Sequence, residues 1–204
     1  MQVTRGFKGK QGASKAATDR VPPGQYVTQD FPVLTSGPTQ RTALASWSLA
    51  LEEGGQLLAR WNWAQFEALP QTERTFDIHC VTKWTKLDTR WRGVTFDDLL
   101  NAAGLMSIPH MYVMAHCDGG YTTNLPVADL MEGKGMVVTH FDGLPLPAEH
   151  GGPARLLVPH LYFWKSAKWV RRLVFMETNA PGFWESLGYH IYGNPWREQR
   201  YSGD

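Results

Sequence analysis

The chain has 204 residues, of which 43% are hydrophobic and nine are Trp, enough to fill the core of one globular domain. Twenty Lys and Arg against nineteen Asp and Glu leave a net charge of +1, so no overall positive field attracts nucleic acid or an acidic membrane. The two cysteines form no CxxC pair, which argues against a disulfide scaffold and against a four-cysteine metal site.

The N-terminus, MQVTRGFKGKQGASKAATDR, carries charges and small residues but lacks the apolar core of a signal peptide. No stretch approaches the roughly 20 apolar residues that cross a bilayer. We therefore expect a cytoplasmic protein without membrane insertion. Residues 1–20 offer almost nothing to bury and are predicted to form a flexible arm, followed by one domain over residues 21–204.

The first predicted elements are a strand in TALASWSLALEEG, residues 42–54, and a short helix that begins after Asn62 and ends at Pro70. The segment TFDIHCV, residues 75–81, alternates apolar and polar side chains, which predicts a strand with the Cys80 thiol pointing inward. TFDDLLNAAGLM, residues 95–106, is the clearest helix, with Thr95 at its start and Gly104 closing it.

The second half of the chain reads mainly as strands. We predict strands in residues 111–117, 135–143, 154–163 and 168–178, and a short helix in PVADLMEG, residues 126–133. Short mixed strands with scattered short helices predict a strand-rich α+β fold and not a doubly wound sheet.

Cys80 is the first candidate for chemistry, because the stretch that follows it, VTKWTKLDTRWRG, is rich in cations. Cations beside a thiol favour the thiolate, which is either a nucleophile or a soft metal ligand. The alternative is a plain core cysteine. The cations in question are Lys83, Lys86, Arg90 and Arg92.

A zinc site and a cysteine hydrolase are two other uses of a cysteine. A zinc site from His79-Cys80 and His116-Cys117 is disfavoured, because adjacent side chains in an extended strand point to opposite faces. A cysteine hydrolase stays open, since several histidines could serve as its base, although no hydrolase signature surrounds Cys80.

The segment HGGPARLLVPHLYFWKSAKWVRRL, residues 150–173, is the second candidate. It sets donors and positive charge around two glycines, where backbone can approach a ligand, as an anionic ligand with many acceptors requires. The alternative is a core strand pair with a solvated basic edge. There is no G-x-G-x-x-G and no Walker A pattern, so nucleotides lack support. The loop CDGGYTTNLP places Tyr121 at a strand end, where it is either turn chemistry or part of a pocket wall.

Together these motifs resemble the molybdopterin domain of the sulfite oxidase family. The resemblance rests on a lone Cys leaving a strand, on an Arg-Trp followed by Gly and a Leu-Leu helix, on a Gly-Tyr-Thr-Thr loop and on HGGPARLLVPHLYFWKSAKW. The tail PGFWESLGYHIYGNPWREQRY resembles the small bacterial sulfite-oxidase-like oxidoreductases. The match runs from about residue 21 to residue 201.

The resemblance implies a sulfite-oxidase-type molybdopterin-binding fold and a molybdenum enzyme that transfers an oxygen atom in a two-electron reaction at a small, sulfur-containing substrate. It leaves the direction open, so the enzyme is either sulfite oxidase-like or sulfoxide reductase-like. Cys80 would be the protein ligand of molybdenum, while Arg90 and Tyr121 would orient the substrate. Five residues would hold the molybdopterin: His150, Arg155, Lys165, Ser166 and Lys168.

Two departures from the family carry expectations. Leu34 and Ser36 stand where sulfite oxidases have an arginine and a histidine, so the pocket should be less cationic. The family's haem and dimerisation domains are absent from the sequence, so the resemblance implies a separate electron-transfer partner. A cysteine-dependent hydrolase and a metal-free binding module on the same fold remain the alternatives.

Overall fold

The structure is a computed structural model that describes residues 19–105 and 109–204, and β-strands are its main regular element. Within these residues the strands are β1 (Tyr26–Val27), β2 (Ser48–Glu53), β3 (Gln56–Asn62), β4 (Thr72–His79), β5 (Trp84–Thr95), β6 (Tyr112–Cys117), β7 (Thr122–Pro126), β8 (Met136–Phe141), β9 (Leu144–Pro145), β10 (Arg155–Leu157) and β11 (Val170–Met176). The α-helices of the same ranges are α1 (Trp63–Glu67), α2 (Phe96–Ala102) and α3 (Phe183–Ser186).

The described strands form two sheets. In the first, β5 pairs antiparallel with β4 and β8 and parallel with β1, while β8 also pairs with β9 and β10. The second sheet has the order β3-β2-β11-β6-β7, in which only β2 and β11 are parallel. This mixed, strand-rich arrangement confirms the predicted α+β class.

The core consists of two apolar clusters. The larger contains side chains from both sheets and from the helices, among them Val137, Leu173 and Leu99. The smaller belongs to the first sheet and packs Ile78 and Trp91 with Cys80. Burial of these side chains is the main favourable term in folding, and it leaves the Cys80 thiol inside the protein.

Local sequence signals place the two longer helices. Asn62 caps α1, since its side chain accepts from the Gln65 N–H while the Gln65 side chain accepts from the Asn62 N–H. Thr95 caps α2 by accepting from the Asp98 N–H. Gly104 follows α2 with φ +70°, the left-handed conformation that glycine adopts freely.

Three predicted elements are shorter than expected. The helix over 126–133 is one 3₁₀ turn, Val127–Asp129, because the chain reverses at Glu132 with φ 59°. The strand over 154–163 ends at Leu157, because the next backbone N–H, that of Val158, donates to the Ser166 hydroxyl, and Pro159 has no N–H for strand pairing. The strand over 42–54 begins only at Ser48, after a 3₁₀ turn.

The predicted N-terminal arm falls almost entirely outside the described residues. Arg20, at its end, forms ion pairs with Asp77 at 2.5 Å and with Asp88 at 2.6 Å. None of the helices in the described ranges has the length and apolarity that a membrane span requires.

Candidate functional site

A cavity of about 290 Å³ opens where the turn between β4 and β5, residues 31–36, residues 150–169 and the C-terminal segment after β11 meet. Six of the eight site residues that the sequence singled out line this cavity: Cys80, Tyr121, His150, Arg155, Ser166 and Lys168. Residues from five separate stretches of the chain therefore converge on one cavity.

Cys80 is held by a tight turn between β4 and β5. Its N–H donates to the Trp84 carbonyl at 2.8 Å, and its carbonyl accepts from the Lys83 N–H at 3.0 Å. Lys83 adopts φ 76°, which lets the chain reverse within a few residues. The Thr82 hydroxyl donates to the Cys80 Sγ at 3.2 Å, so the sulfur already has a donor in the protein.

Burial raises the pKa of the Cys80 thiol, and the Thr82 hydroxyl and the charge of Arg155 oppose that effect. The expectation that sequence-adjacent cations hold a thiolate is therefore wrong. Two of those cations have other partners: Lys86 donates to the Gln29 carbonyl, and Arg92 faces Glu67 at 3.5 Å. The cation that acts on the thiol comes from β10.

Arg155 is a buried guanidinium, only 2% exposed. Its Nε and Nη2 donate to the Ser166 carbonyl at 3.0 and 2.8 Å, its Nη1 donates to the His150 carbonyl at 2.9 Å, and it stacks on the Phe163 ring at 3.7 Å. No carboxylate of the described residues pairs with it. Burial lowers its pKa to about 9. A buried cation with only neutral partners favours an anionic ligand.

Lys168 is the second cation of the cavity. Its Nζ donates to the carbonyls of Leu34 at 2.7 Å and Glu149 at 2.5 Å. Burial, followed by the charge of Arg155, lowers its pKa to about 8. Because no salt bridge neutralises it within the described part of the chain, an anion in the cavity would stabilise both cations.

The glycines before Arg155 have a packing role that the sequence did not reveal. A Cβ at Gly152 would lie 2.0 Å from the Leu146 carbonyl oxygen, and one at Gly151 would lie 3.0 Å from Lys168 Cα. They let the chain pack closely on itself and so set the position of His150. The His150 ring stacks on Phe31 at 3.8 Å, and burial lowers its pKa to about 4, so it is neutral at pH 7.

The rest of the wall is uncharged and rich in aromatic side chains. Tyr121, Trp164, Trp184 and Tyr189 line it, and the Tyr121 hydroxyl donates to the Trp164 carbonyl at 2.7 Å. Burial raises the pKa of Tyr121 well above its usual value, so this hydroxyl keeps its proton. Leu34 and Ser36 also line the cavity, and neither carries a charge.

Two predicted site residues lie elsewhere. Arg90, on β5, is half-exposed, faces Glu73 at 3.8 Å and is not among the residues that line the cavity. Lys165 is fully buried and forms an ion pair with Glu185 at 2.6 Å. Its Nζ therefore serves the protein's own carboxylate and is not directed into the cavity.

Sequence reasoning missed several residues of the site. Thr82 stands two residues after Cys80, a spacing that suits a turn hydroxyl, but nothing in the sequence indicates that it donates to sulfur. Trp184 and Tyr189 come from the C-terminal tail, which contributed only to the resemblance. Their approach to the cavity depends on long-range packing that a single sequence does not encode visibly.

Comparison with known proteins shows the family. The model of the oxidoreductase molybdopterin binding domain family matches residues 36–184. An uncharacterized oxidoreductase of Bacillus subtilis (strain 168) is 43% identical over 189 residues, 91% of this chain and 93% of that protein. A putative protein-methionine-sulfoxide reductase subunit of Azospira oryzae is 27% identical over 174 residues, 84% of this chain and 66% of that protein.

A solved structure shows the same fold. The sulfane dehydrogenase SoxCD from Paracoccus pantotrophus superposes with a TM-score of 0.60 at 18% identity, over 84% of this chain and 56% of that one. The fold and the matched family define a molybdopterin-binding oxidoreductase domain of the sulfite oxidase type. The chain belongs to the oxidoreductase molybdopterin binding domain family, and it is a molybdopterin-dependent enzyme.

The side chains of the cavity fit such a cofactor. Molybdopterin brings negative charge in its dithiolene sulfurs and its phosphate, and the cavity holds two cations without carboxylate partners among the described residues, Arg155 and Lys168. A soft thiol, Cys80, lines the same space. The hydrolase alternative lacks its base, since the hydrogen bond of the thiol in the described structure is with Thr82 and not with a histidine.

Proposed function

We propose that this enzyme removes an oxygen atom from a small, neutral sulfoxide in a two-electron reaction, with Cys80 as the protein ligand of molybdenum. The observation that carries the proposal is the combination of a buried thiol with two cations that have no carboxylate partner among the described residues, in a cavity whose remaining wall is uncharged and rich in aromatic side chains. The balanced reaction takes one sulfoxide, two electrons and two protons to one thioether and one water.

Arg155 and Lys168 would hold the anionic parts of the cofactor, while His150 and Ser166 complete the cradle. Ser166 acts through its carbonyl, which accepts two hydrogen bonds from Arg155 and fixes the plane of the guanidinium. His150 contributes its neutral ring, and its backbone carbonyl accepts a hydrogen bond from Arg155. The bound cofactor supplies the two-electron redox change that is coupled to oxygen transfer.

The substrate class follows from what remains of the wall. Once both cavity cations are assigned to the cofactor, the remaining wall is uncharged, and its aromatic side chains include Tyr121, Trp164, Trp184 and Tyr189. Aromatic faces bind apolar substituents and desolvate their surroundings, which disfavours a sulfite dianion. Arg90, which the resemblance assigned to the substrate, does not line the cavity. The Tyr121 hydroxyl oxygen can still accept a hydrogen bond, but its proton is engaged with the Trp164 carbonyl.

Two further parts of the proposal concern the cell. We propose that a separate carrier protein supplies the two electrons that oxygen removal consumes. A relative whose name describes a sulfoxide reductase subunit supports both the substrate class and the partner. The cytoplasmic location remains a prediction from the sequence.

The proposal is tested by assaying the molybdenum-loaded enzyme with methyl phenyl sulfoxide and a reduced viologen dye, and with sulfite and ferricyanide. We expect turnover of the sulfoxide and little of sulfite. Arg90→Gln is the control, and its kcat/KM for the sulfoxide should stay within about two-fold of wild type, because exposed substitutions rarely exceed 0.5 kcal/mol. Rapid sulfite oxidation that is lost in Arg90→Gln would overturn the substrate assignment.

A further inference from the structure

The buried ion pair of Lys165 and Glu185 lies directly behind the cavity. Both side chains are 1% exposed, and Lys165 Nζ lies 2.6 Å from Glu185 Oε1. Lys165 Nζ also donates to the Asn124 carbonyl and side chain, each at 2.9 Å, and to the Ile191 carbonyl at 2.8 Å. The lysine thus ties strand β7 to the C-terminal segment.

Glu185 Oε1 is the meeting point of three donors. Besides Lys165, it accepts from the Trp164 indole Nε1 at 2.9 Å and from the Thr123 hydroxyl at 2.8 Å. Trp164 lines the cavity, whereas Glu185 does not. The carboxylate therefore fixes the orientation of a wall residue without touching the cavity itself.

The segment that carries Glu185 supplies two more aromatic side chains of the cavity wall. Trp184 precedes it in α3, and Tyr189 follows, with its ring 5.2 Å from that of Trp164 and 5.0 Å from that of Trp184. Gly193 packs against the other side of the Trp164 indole, where a Cβ would lie 2.7 Å from Cζ2. The three aromatic walls therefore form one packed unit.

The segment that carries Glu185 packs closely against β7, with no room for a side chain at Gly182. A Cβ at Gly182 would lie 2.5 Å from Thr123 Cα. Asn124 adds a hydrogen bond from its Nδ2 to the Asn179 side chain at 2.7 Å. The second carboxylate oxygen, Glu185 Oε2, is buried and has no partner in the described structure, so Oε1 is the atom that makes all of the contacts.

From this arrangement we infer that Glu185 is a positioning residue, which sets the geometry of the aromatic substrate wall by holding the Trp164 indole and anchoring the segment with Trp184 and Tyr189. Lys165, which the resemblance assigned to the cofactor, is the counter-charge of this buried carboxylate. Only the kinetic part of this inference rests on the proposed function.

A pair of double variants separates the orienting role from the cost of burying charge. Lys165→Met with Glu185→Gln removes both charges but keeps an oxygen to accept from Trp164. Lys165→Met with Glu185→Leu removes that oxygen too. Neither leaves an isolated buried charge, whose effect on folding would mask the result. Leu99→Ala, in the core and outside the cavity lining, is the control for loss of stability alone.

The first readout needs no activity. In ¹⁵N-indole spectra of the full chain, identified with Trp164→Phe, the wild-type Trp164 Nε1–H should exchange at least about 100-fold more slowly than that of Trp196, because it is buried and hydrogen-bonded. Protection should persist in the Gln double variant and vanish in the Leu double variant. An unprotected Trp164 indole in the wild type would overturn the inference even if every variant failed to fold.

The second readout is the KM of the loaded enzyme for methyl phenyl sulfoxide. We expect the Leu double variant to raise KM about ten-fold with kcat nearly unchanged, as loss of one charge-assisted hydrogen bond predicts, and the Gln double variant to restore it. An equal rise in Leu99→Ala, or no rise in the Leu double variant, would contradict the inference. If no variant or wild type reduces sulfoxides, the proposed function fails while indole exchange still decides the role of Glu185.

Discussion

Arg155 is the residue whose surroundings say most about the ligand of the cavity. A guanidinium that is 2% exposed normally pairs with a carboxylate, but here it meets two backbone carbonyls and a phenyl ring. An anion nearby stabilises such a group strongly, since the charge is already desolvated and the guanidinium is held in place.

We predict that Arg155→Met lowers the molybdopterin content of the purified protein about ten-fold or more, because one charge-assisted contact is worth roughly 1.5–3 kcal/mol. The measurement is pterin fluorescence after oxidative release, normalised to protein. Arg172→Met is the matched control, since Arg172 pairs with Glu52 at 2.9 Å and does not line the cavity. A full complement of pterin in Arg155→Met would contradict the assignment.

At the scale of the element, the β5–β8 pair determines whether the first sheet holds together behind the cavity. Gly93 lies on β5 opposite β8, and a Cβ there would fall 2.1 Å from the Val137 carbonyl oxygen. Neither backbone can move away without breaking the ladder between the strands. Glycine is required at this position by close approach, although its backbone conformation is one that any residue can adopt.

We predict that Gly93→Ala lowers the free energy of unfolding by about 2 kcal/mol or more, the range of overpacking in a core. Gly37→Ala is the control, because nothing lies within 4 Å of a Cβ at that position. Urea unfolding of both variants measures the difference. Equal stabilities of the two variants would mean that the strands separate easily.

Across the whole molecule, the cavity cations link stability to pH and to the cofactor. The pKa of Lys168 is lowered from 10.5 to about 8, so between these values the unfolded chain binds more protons than the folded one. Stability of the cofactor-free protein should therefore rise as pH increases from 8 to 10.5. Below pH 8 Lys168 is protonated in both the folded and the unfolded chain, so it causes no pH dependence there.

We predict that thermal melts of the cofactor-free protein shift upward between pH 8 and pH 10, and that Lys168→Met reduces this rise. The remaining slope comes from Lys165 and Arg155, because burial lowers their pKa values to about 8 and about 9. The loaded protein should show a smaller slope, because an anion beside Lys168 returns its pKa toward the usual value. A slope unchanged by both Lys168→Met and cofactor loading would show that other groups control the pH dependence.

The sequence predicted the parts of the molecule that local rules govern. The caps at Asn62 and Thr95 and the strand leading to Cys80 follow from patterns within a few residues. The grouping of Cys80 with Arg155 and Lys168 came from resemblance, and the structure brings these residues to one cavity.

Long-range contacts account for what the sequence did not predict. Lys165 and Lys168 look equivalent in the sequence, yet Lys165 forms an ion pair with Glu185, twenty residues further along the chain, whereas Lys168 lines the cavity. Buried and exposed side chains alternate along β5, and Arg90 is one of the exposed ones. The residues next to it in the sequence do not indicate which face it lies on. Such outcomes depend on how strands pair and where the tail packs.

The most direct test of the account is the molybdenum content per chain of protein purified from a host that makes the cofactor. Cys80→Ser is compared with wild type, and Cys117→Ser, the chain's other cysteine, is the control. We predict near-stoichiometric molybdenum in wild type and Cys117→Ser and a sharp fall in Cys80→Ser. Equal metal in all three proteins would contradict the role of Cys80 as the molybdenum ligand.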